Sequence, residues 1–140
     1  MVENVIWKYS KGKVDESTLS EIERYFNVSF PSFYKEIVRE YNGARPRPNA
    51  FHTIDGKEVR IRSFLPIGKD YTDNIVNVNK RLKDKLPQQL IAFANDDFGN
   101  YFCFDFKDEK EITIVFWEHE NSELFQLERD GFLALLGSVR

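Results

Sequence analysis

The residues able to do chemistry in this chain are few and scattered. His52 and His119 lie on separate segments with no Cys or His neighbour at ligand spacing, so neither begins a zinc site. Cys103, the one cysteine, cannot close an intramolecular disulfide or build a Cys-based zinc site. Its apolar neighbours mark it as a small buried hydrophobe rather than a nucleophile. Asp97-Phe98-Gly99 matches the metal-binding tripeptide of protein kinases, but the sequence lacks the Gly-rich loop, strand lysine and His-Arg-Asp loop that this chemistry requires. Gly-x-Ser-x-Gly and the P-loop are missing too. Asp96 and Asp97 are adjacent carboxylates, yet neighbouring turn acids without a pKa-shifting pocket are ordinarily solvated rather than a glycosidase-like pair. Residues 95–105 supply only part of the oxygen pattern of a calcium loop. The expectation is a protein that is not an enzyme, holds no metal or cofactor, and works by binding.

The acidic residues stand in the stretch around which the chain is organised. Ile91-Ala92-Phe93-Ala94 and Tyr101-Phe102-Cys103-Phe104 are short apolar runs flanking Asn95-Asp96-Asp97-Phe98-Gly99-Asn100. Asn and Asp bond back to their own backbone and Gly accepts a positive φ, so the pattern predicts a hairpin with an acidic connection. Strand alternation puts Phe102 and Phe104 on one face and Tyr101, Cys103 and Asp105 on the other. The nearly continuous apolar character of the second strand places it centrally in the sheet.

Around this hairpin the other elements are legible in turn. Residues 14–27 read as a helix capped by Asp15, with Val14 and Leu19 as a hydrophobic staple and Leu19, Ile22 and Phe26 as the buried stripe. Residues 30–43 read as a second helix, with Pro31 in its first position, Gly43 as a left-handed stop, and Tyr34, Ile37, Val38 and Tyr41 inward. Residues 44–50 read as a loop, with Arg45 and Arg47 solvated. Residues 51–54 and 58–67 read as strands joined across Asp55-Gly56, with Arg60 and Arg62 outward. Residues 71–86 read as a helix with Ile75, Val78 and Leu82 inward. Residues 112–117 form a strand expected to pair with 101–106, residues 118–123 a polar loop, and residues 130–139 a last helix bearing Phe132, Leu133, Leu135 and Leu136. The order predicts one α+β domain over residues 1–140, a mainly antiparallel sheet flanked by amino- and carboxyl-terminal helices. Its sheet edges would permit a weak homodimer as well as a monomer.

Composition agrees. A 140-residue chain that is 41% hydrophobic and 31% charged is globular rather than disordered, and thirteen Phe with six Tyr imply an aromatic core. The amino terminus shows neither a basic leader nor an apolar stretch of signal length, and no apolar run spans a membrane, so the expected location is the cytoplasm. The net charge of -3 hides an asymmetry: residues 1–90 sum to +4 and residues 91–140 to -7. An acidic face repels nucleic acid and attracts basic proteins, although a solvated rim is the plainer reading.

The signposts also form a set: Glu23 in the first helix, Phe26-x-Val28-x-Phe30-Pro31-x-x-Tyr34, Tyr41-Asn42-Gly43, Phe64-Leu65-Pro66-Ile67, Leu86-Pro87, Ile91-Ala92-Phe93-Ala94-Asn95-Asp96, Gly99-Asn100, Phe104-Asp105 and Val115-Phe116-Trp117-Glu118-His119. Each piece is degenerate, and their order and spacing carry the inference. Over residues 14–138 the chain resembles the SUKH superfamily, which includes fungal cell-wall synthesis regulators and many bacterial immunity proteins. It departs from the pattern at Phe30, where Leu is usual, and at Asp97-Phe98, where a shorter Gly-containing turn is common. The resemblance implies an α+β domain without catalytic residues that binds a protein partner. In the bacterial members that partner is commonly a toxin, often a nuclease, delivered between neighbouring cells.

The combined expectation is an immunity protein that neutralises a cognate basic toxin, without direct contact to nucleic acid or membrane. Asp96, Asp97, Glu118 and Glu120 are its candidate partner-binding charges, and Trp117 a candidate aromatic anchor, although tryptophan in such a run is more often core. The alternatives are a regulatory scaffold that binds an endogenous protein, and a small-ligand or nucleotide sensor in which Arg60 and Arg62 hold phosphates.

Overall fold

A computed structural model describes residues 5–129 and 132 of the chain. Helix α1 (Glu16–Phe26) starts where its sequence dictates, because the Asp15 carboxylate accepts the Thr18 N–H at 2.8 Å and the Ser17 hydroxyl at 3.0 Å. It stops at Asn27, which takes the left-handed conformation at φ 57°. Helix α2 (Ser32–Glu40) follows, with Pro31 as the residue just before the first turn rather than inside it. The two helices are tied by one carboxylate. Glu23 accepts the Phe30 N–H at 2.7 Å and lies 3.4 Å from the Lys35 ammonium.

The hydrogen bonds to Asp15 favour its ionised form and hold its pKa below the ordinary carboxylate value. A depressed folded-state pKa gives stability that is present above the unfolded pKa and is lost as pH falls through the folded one. Asp15→Asn is therefore expected to have a lower urea midpoint than the wild type at pH 7 and an equal one once the acid has protonated. A midpoint difference that stays constant down to pH 2 would contradict this.

Five strands make the main sheet: β5 (Ser63–Phe64), β6 (Leu90–Asn95), β7 (Tyr101–Asp105), β8 (Thr113–Trp117) and β9 (Leu124–Gln126), in that order and all antiparallel. The central hairpin is β6–β7, and β7 is the middle strand, with Phe102, Cys103 and Phe104 fully buried. Two small antiparallel pairs complete the fold: β1 (Ile6–Lys8) with β2 (Arg45–Arg47), and β3 (Ala50–His52) with β4 (Glu58–Arg60). They cover the open edges expected of the sheet. The Phe64 N–H reaches Ala44 O at 3.0 Å on one side. On the other, Thr53 bridges Leu127 and the Ile54 N–H reaches Gln126 O at 2.8 Å.

Helix α2 lies on the face of Phe64, Phe93 and Phe104. Tyr34 sits at 5.2 to 6.1 Å from all three rings, and Phe93 stacks on Phe104 at 4.0 Å. The β3–β4 hairpin crosses the same face further along, where Lys57 lies over the rings of Phe125 and Phe116 at 4.3 and 5.9 Å. The result is the α+β architecture expected. Among the described residues, no helix is long and apolar enough to cross a membrane.

Three local readings change, and one strand is added where none was expected. Residues 45–47, read as loop, form β2, and residues 124–126 form β9. The long strand expected over 58–67 breaks at Ile61-Arg62, because Asn49 engages both backbone groups of Ile61 and redirects the chain into the main sheet as β5. The helix expected over 71–86 is only Ile75–Arg81, α3. Asn74 caps it, and Asn79 spends its amide on the Ala92 N–H and C=O at 2.9 and 3.0 Å, beside a register shift in β6. Ile75, Val78 and Leu82 do face inward. The helix expected over 130–139 lies outside the described residues except for Phe132, which is buried against Phe51, Phe33 and Phe93.

Cys103 is fully enclosed. Burial first, and then the nearby Asp105 charge, push its thiol far above the ordinary cysteine value, so it stays protonated at neutral pH. A disulfide reagent such as Ellman's should fail to label the native protein within an hour and should label one thiol in urea. Rapid native labelling would contradict the placement.

Candidate partner-binding site

Three turns meet at one end of the sheet, and each is fixed by its own residues. In the β6–β7 turn, Asp96 directs its carboxylate inward. One oxygen accepts the Phe98 and Asn100 N–H groups at 2.8 and 2.9 Å, and the other accepts the Asn100 side-chain amide at 2.8 Å. Gly99 takes φ 87°, and a Cβ there would stand 3.3 Å from the His119 ring. In the next turn the His119 N–H binds Asn100 Oδ1 at 3.0 Å, which ties the β8–β9 connection to the β6–β7 turn. From the β3–β4 hairpin, Lys57 reaches Glu118 at 3.1 Å. Arg62, between β4 and β5, lies 3.7 Å from the Asp97 carboxylate.

Between hairpin and turns lies a cleft of about 300 Å³ lined by Lys57, Arg60, Asp97, Phe98, Phe116 and Glu118, among others. Asp96, Asp97 and Glu118 all border it. Glu120 is exposed on the β8–β9 turn. Two of the expected roles change. Asp96 is only 9% exposed, because its carboxylate is used up holding the turn, and it is no free interface charge. Trp117 is 2% exposed and stacked on Tyr101, so its ring lies beyond a partner's reach; its apolar strand places it in the core. The aromatic side chain the end does present is Phe98, 78% exposed at the tip of the β6–β7 turn. The sequence carried that signal: an apolar residue set among Asp, Gly and Asn has no core to face.

The remaining candidates stay apart. His52 ends strand β3 and His119 lies on the β8–β9 turn, and among the described residues no group of three or more His, Cys, Asp or Glu is placed to hold a metal ion. Arg60 and Arg62 point outward as expected, but each already has a carboxylate, Glu58 at 2.7 Å and Asp97 at 3.7 Å. They do not form a shared phosphate-holding pair.

The signposts resolve into matched halves of structural clamps. Asn42 pairs with both backbone groups of Ile67 at 2.8 Å, and Gly43 packs against Pro66, so Tyr41-Asn42-Gly43 and Leu65-Pro66-Ile67 hold each other. Glu23 holds Phe30, Asp96 holds Asn100, and Asn100 holds His119. The SUKH_6 family model, described as SMI1-KNR4 cell-wall, matches the chain over residues 16–136. The chain belongs to the SMI1-KNR4 family. No curated protein gives a match. Membership in the SMI1-KNR4 family fits a protein-binding role, whether immunity or regulatory. Phe30, the departure before the proline, is buried against Tyr34, Phe104 and Phe106 and fills the core as a leucine would. The other departure, Asp97-Phe98, is what projects from the SMI1-KNR4 domain at the cleft.

Proposed function

We propose that this member of the SMI1-KNR4 family is an immunity protein that binds and neutralises a cognate toxin, a basic nuclease-type domain, without catalysis or cofactor. The family match over residues 16–136 carries the reading. The -7 charge of residues 91–140 supports the choice of a basic partner, because a nuclease that grips phosphate backbones exposes cations, and an acidic inhibitor is steered towards them. The protein acts in the cytoplasm on the toxin itself, with no direct hold on nucleic acid or membrane. Asp97, Glu118 and Glu120 are the acidic groups that meet the partner.

The test is co-expression with the carboxyl-terminal domain of the polypeptide encoded immediately upstream. Stoichiometric co-purification and restored growth are expected. The absence of both capture and rescue would contradict the immunity role and favour the second reading, a regulatory scaffold for an endogenous protein. The cell-wall description of the family model gives that reading its support.

A further inference from the structure

The cleft beside Phe98 has a chemistry of its own. Its lining carries the carboxylates of Glu58, Asp96, Asp97 and Glu118 against the cations of Lys57 and Arg60, and with Arg62 standing on Asp97 the balance is one negative charge. Phe98 offers an aromatic face almost wholly in water, on a turn whose backbone Asp96 has already fixed. Nearby, the protein already shows how such a surface treats a cation: Lys57 lies over Phe125 with its ammonium on Glu118. The Asp97–Arg62 pair is long and half in water, so little opposes exchange of its guanidinium for another.

We infer that the cleft receives an arginine or lysine side chain from a basic protein partner, seated against Phe98 and neutralised by Asp97 and Glu118. Rings draw cations to their faces, more strongly as the pair is desolvated by a partner, and arginine is enriched among the residues that anchor interfaces. Phe98 is then the anchor, and the carboxylates set the sign of the partner. The inference rests on the immunity reading for the partner's identity, and adds which face and which residue grip it.

The test titrates the carboxyl-terminal domain encoded immediately upstream into wild type, Phe98→Ala, Phe98→Tyr, Asp97→Lys/Glu118→Lys, and Tyr25→Ala as a distant exposed control. Phe98→Ala and the double reversal are each expected to weaken Kd by about 30-fold or more, the loss typical of an interface anchor. Phe98→Tyr and Tyr25→Ala should stay within about threefold, well inside the hot-spot threshold. Phe98 contributes only its backbone N–H to the turn, so its alanine variant should keep the wild-type melting temperature. If the wild type binds and Phe98→Ala binds equally well, the seat is overturned while the immunity reading stands. If the wild type does not bind at all, the immunity reading itself fails and the seat assigned on it falls.

Discussion

Phe104→Ala is expected to lower the unfolding free energy by about 4 kcal/mol. The ring is fully buried on the middle strand. It stacks on Phe93 at 4.0 Å and meets Phe30, Phe33, Tyr34 and Phe106 at 5.2 to 6.2 Å. Those neighbours come from β6, α2 and the segments preceding α2 and following β7, so no one element can move in to close the gap. A domain of this size has roughly 5–15 kcal/mol to lose, and the urea midpoint should fall by a large fraction of its value. A loss below about 1 kcal/mol would show that the aromatic cluster repacks, against the close packing assumed of such cores.

Asn42→Ala is the second large effect, roughly 3 kcal/mol, and it arises from polar groups rather than volume. The Asn42 side chain donates to Ile67 O and accepts from the Ile67 N–H, both at 2.8 Å and both buried. Alanine leaves one donor and one acceptor unpaired, each costing about 1–3 kcal/mol when water cannot reach it. Amide exchange at Ile67 gives the local readout, and its protection should fall further than that of Phe102 in the central strand. Unchanged protection at Ile67 would mean that the pairing has another source.

What the sequence revealed and what it hid follow from how local each signal is. The β6–β7 hairpin was readable because two apolar runs flank Asn-Asp-Asp-Phe-Gly-Asn, and both the strands and the turn depend on neighbours within a few residues. The start of α1 was readable for the same reason: Asp15 caps a group three residues away. Strand β2 was not, because Arg45-Pro46-Arg47 has loop composition and becomes a strand only by pairing with Ile6–Lys8. Helix α3 was overextended at its start because Asn74, which accepts the Asn77 N–H, caps it three residues after Tyr71.

At the cleft the same divide applies. That 96–97 and 118–120 carry candidate acidic groups was visible in the sequence, and that their turns meet at one end of the sheet was not. That Asp96 holds its own turn, that Arg62 and Lys57 arrive from other strands to meet Asp97 and Glu118, and that Trp117 faces inward are tertiary facts. The signposts behave likewise: both halves of each clamp were readable, and their pairing was not.

The central claim is a division of labour, in which the signature residues hold the fold while the exposed tip at Phe98 binds. The most direct measurement is the affinity of Asn42→Ala and Phe98→Ala for the carboxyl-terminal domain encoded immediately upstream, taken at a temperature where both variants are folded. The account predicts that Asn42→Ala binds as the wild type does despite its lowered stability, and that Phe98→Ala, at wild-type stability, binds about 30-fold more weakly. The reverse pattern, with binding lost at Asn42 and kept at Phe98, would contradict it.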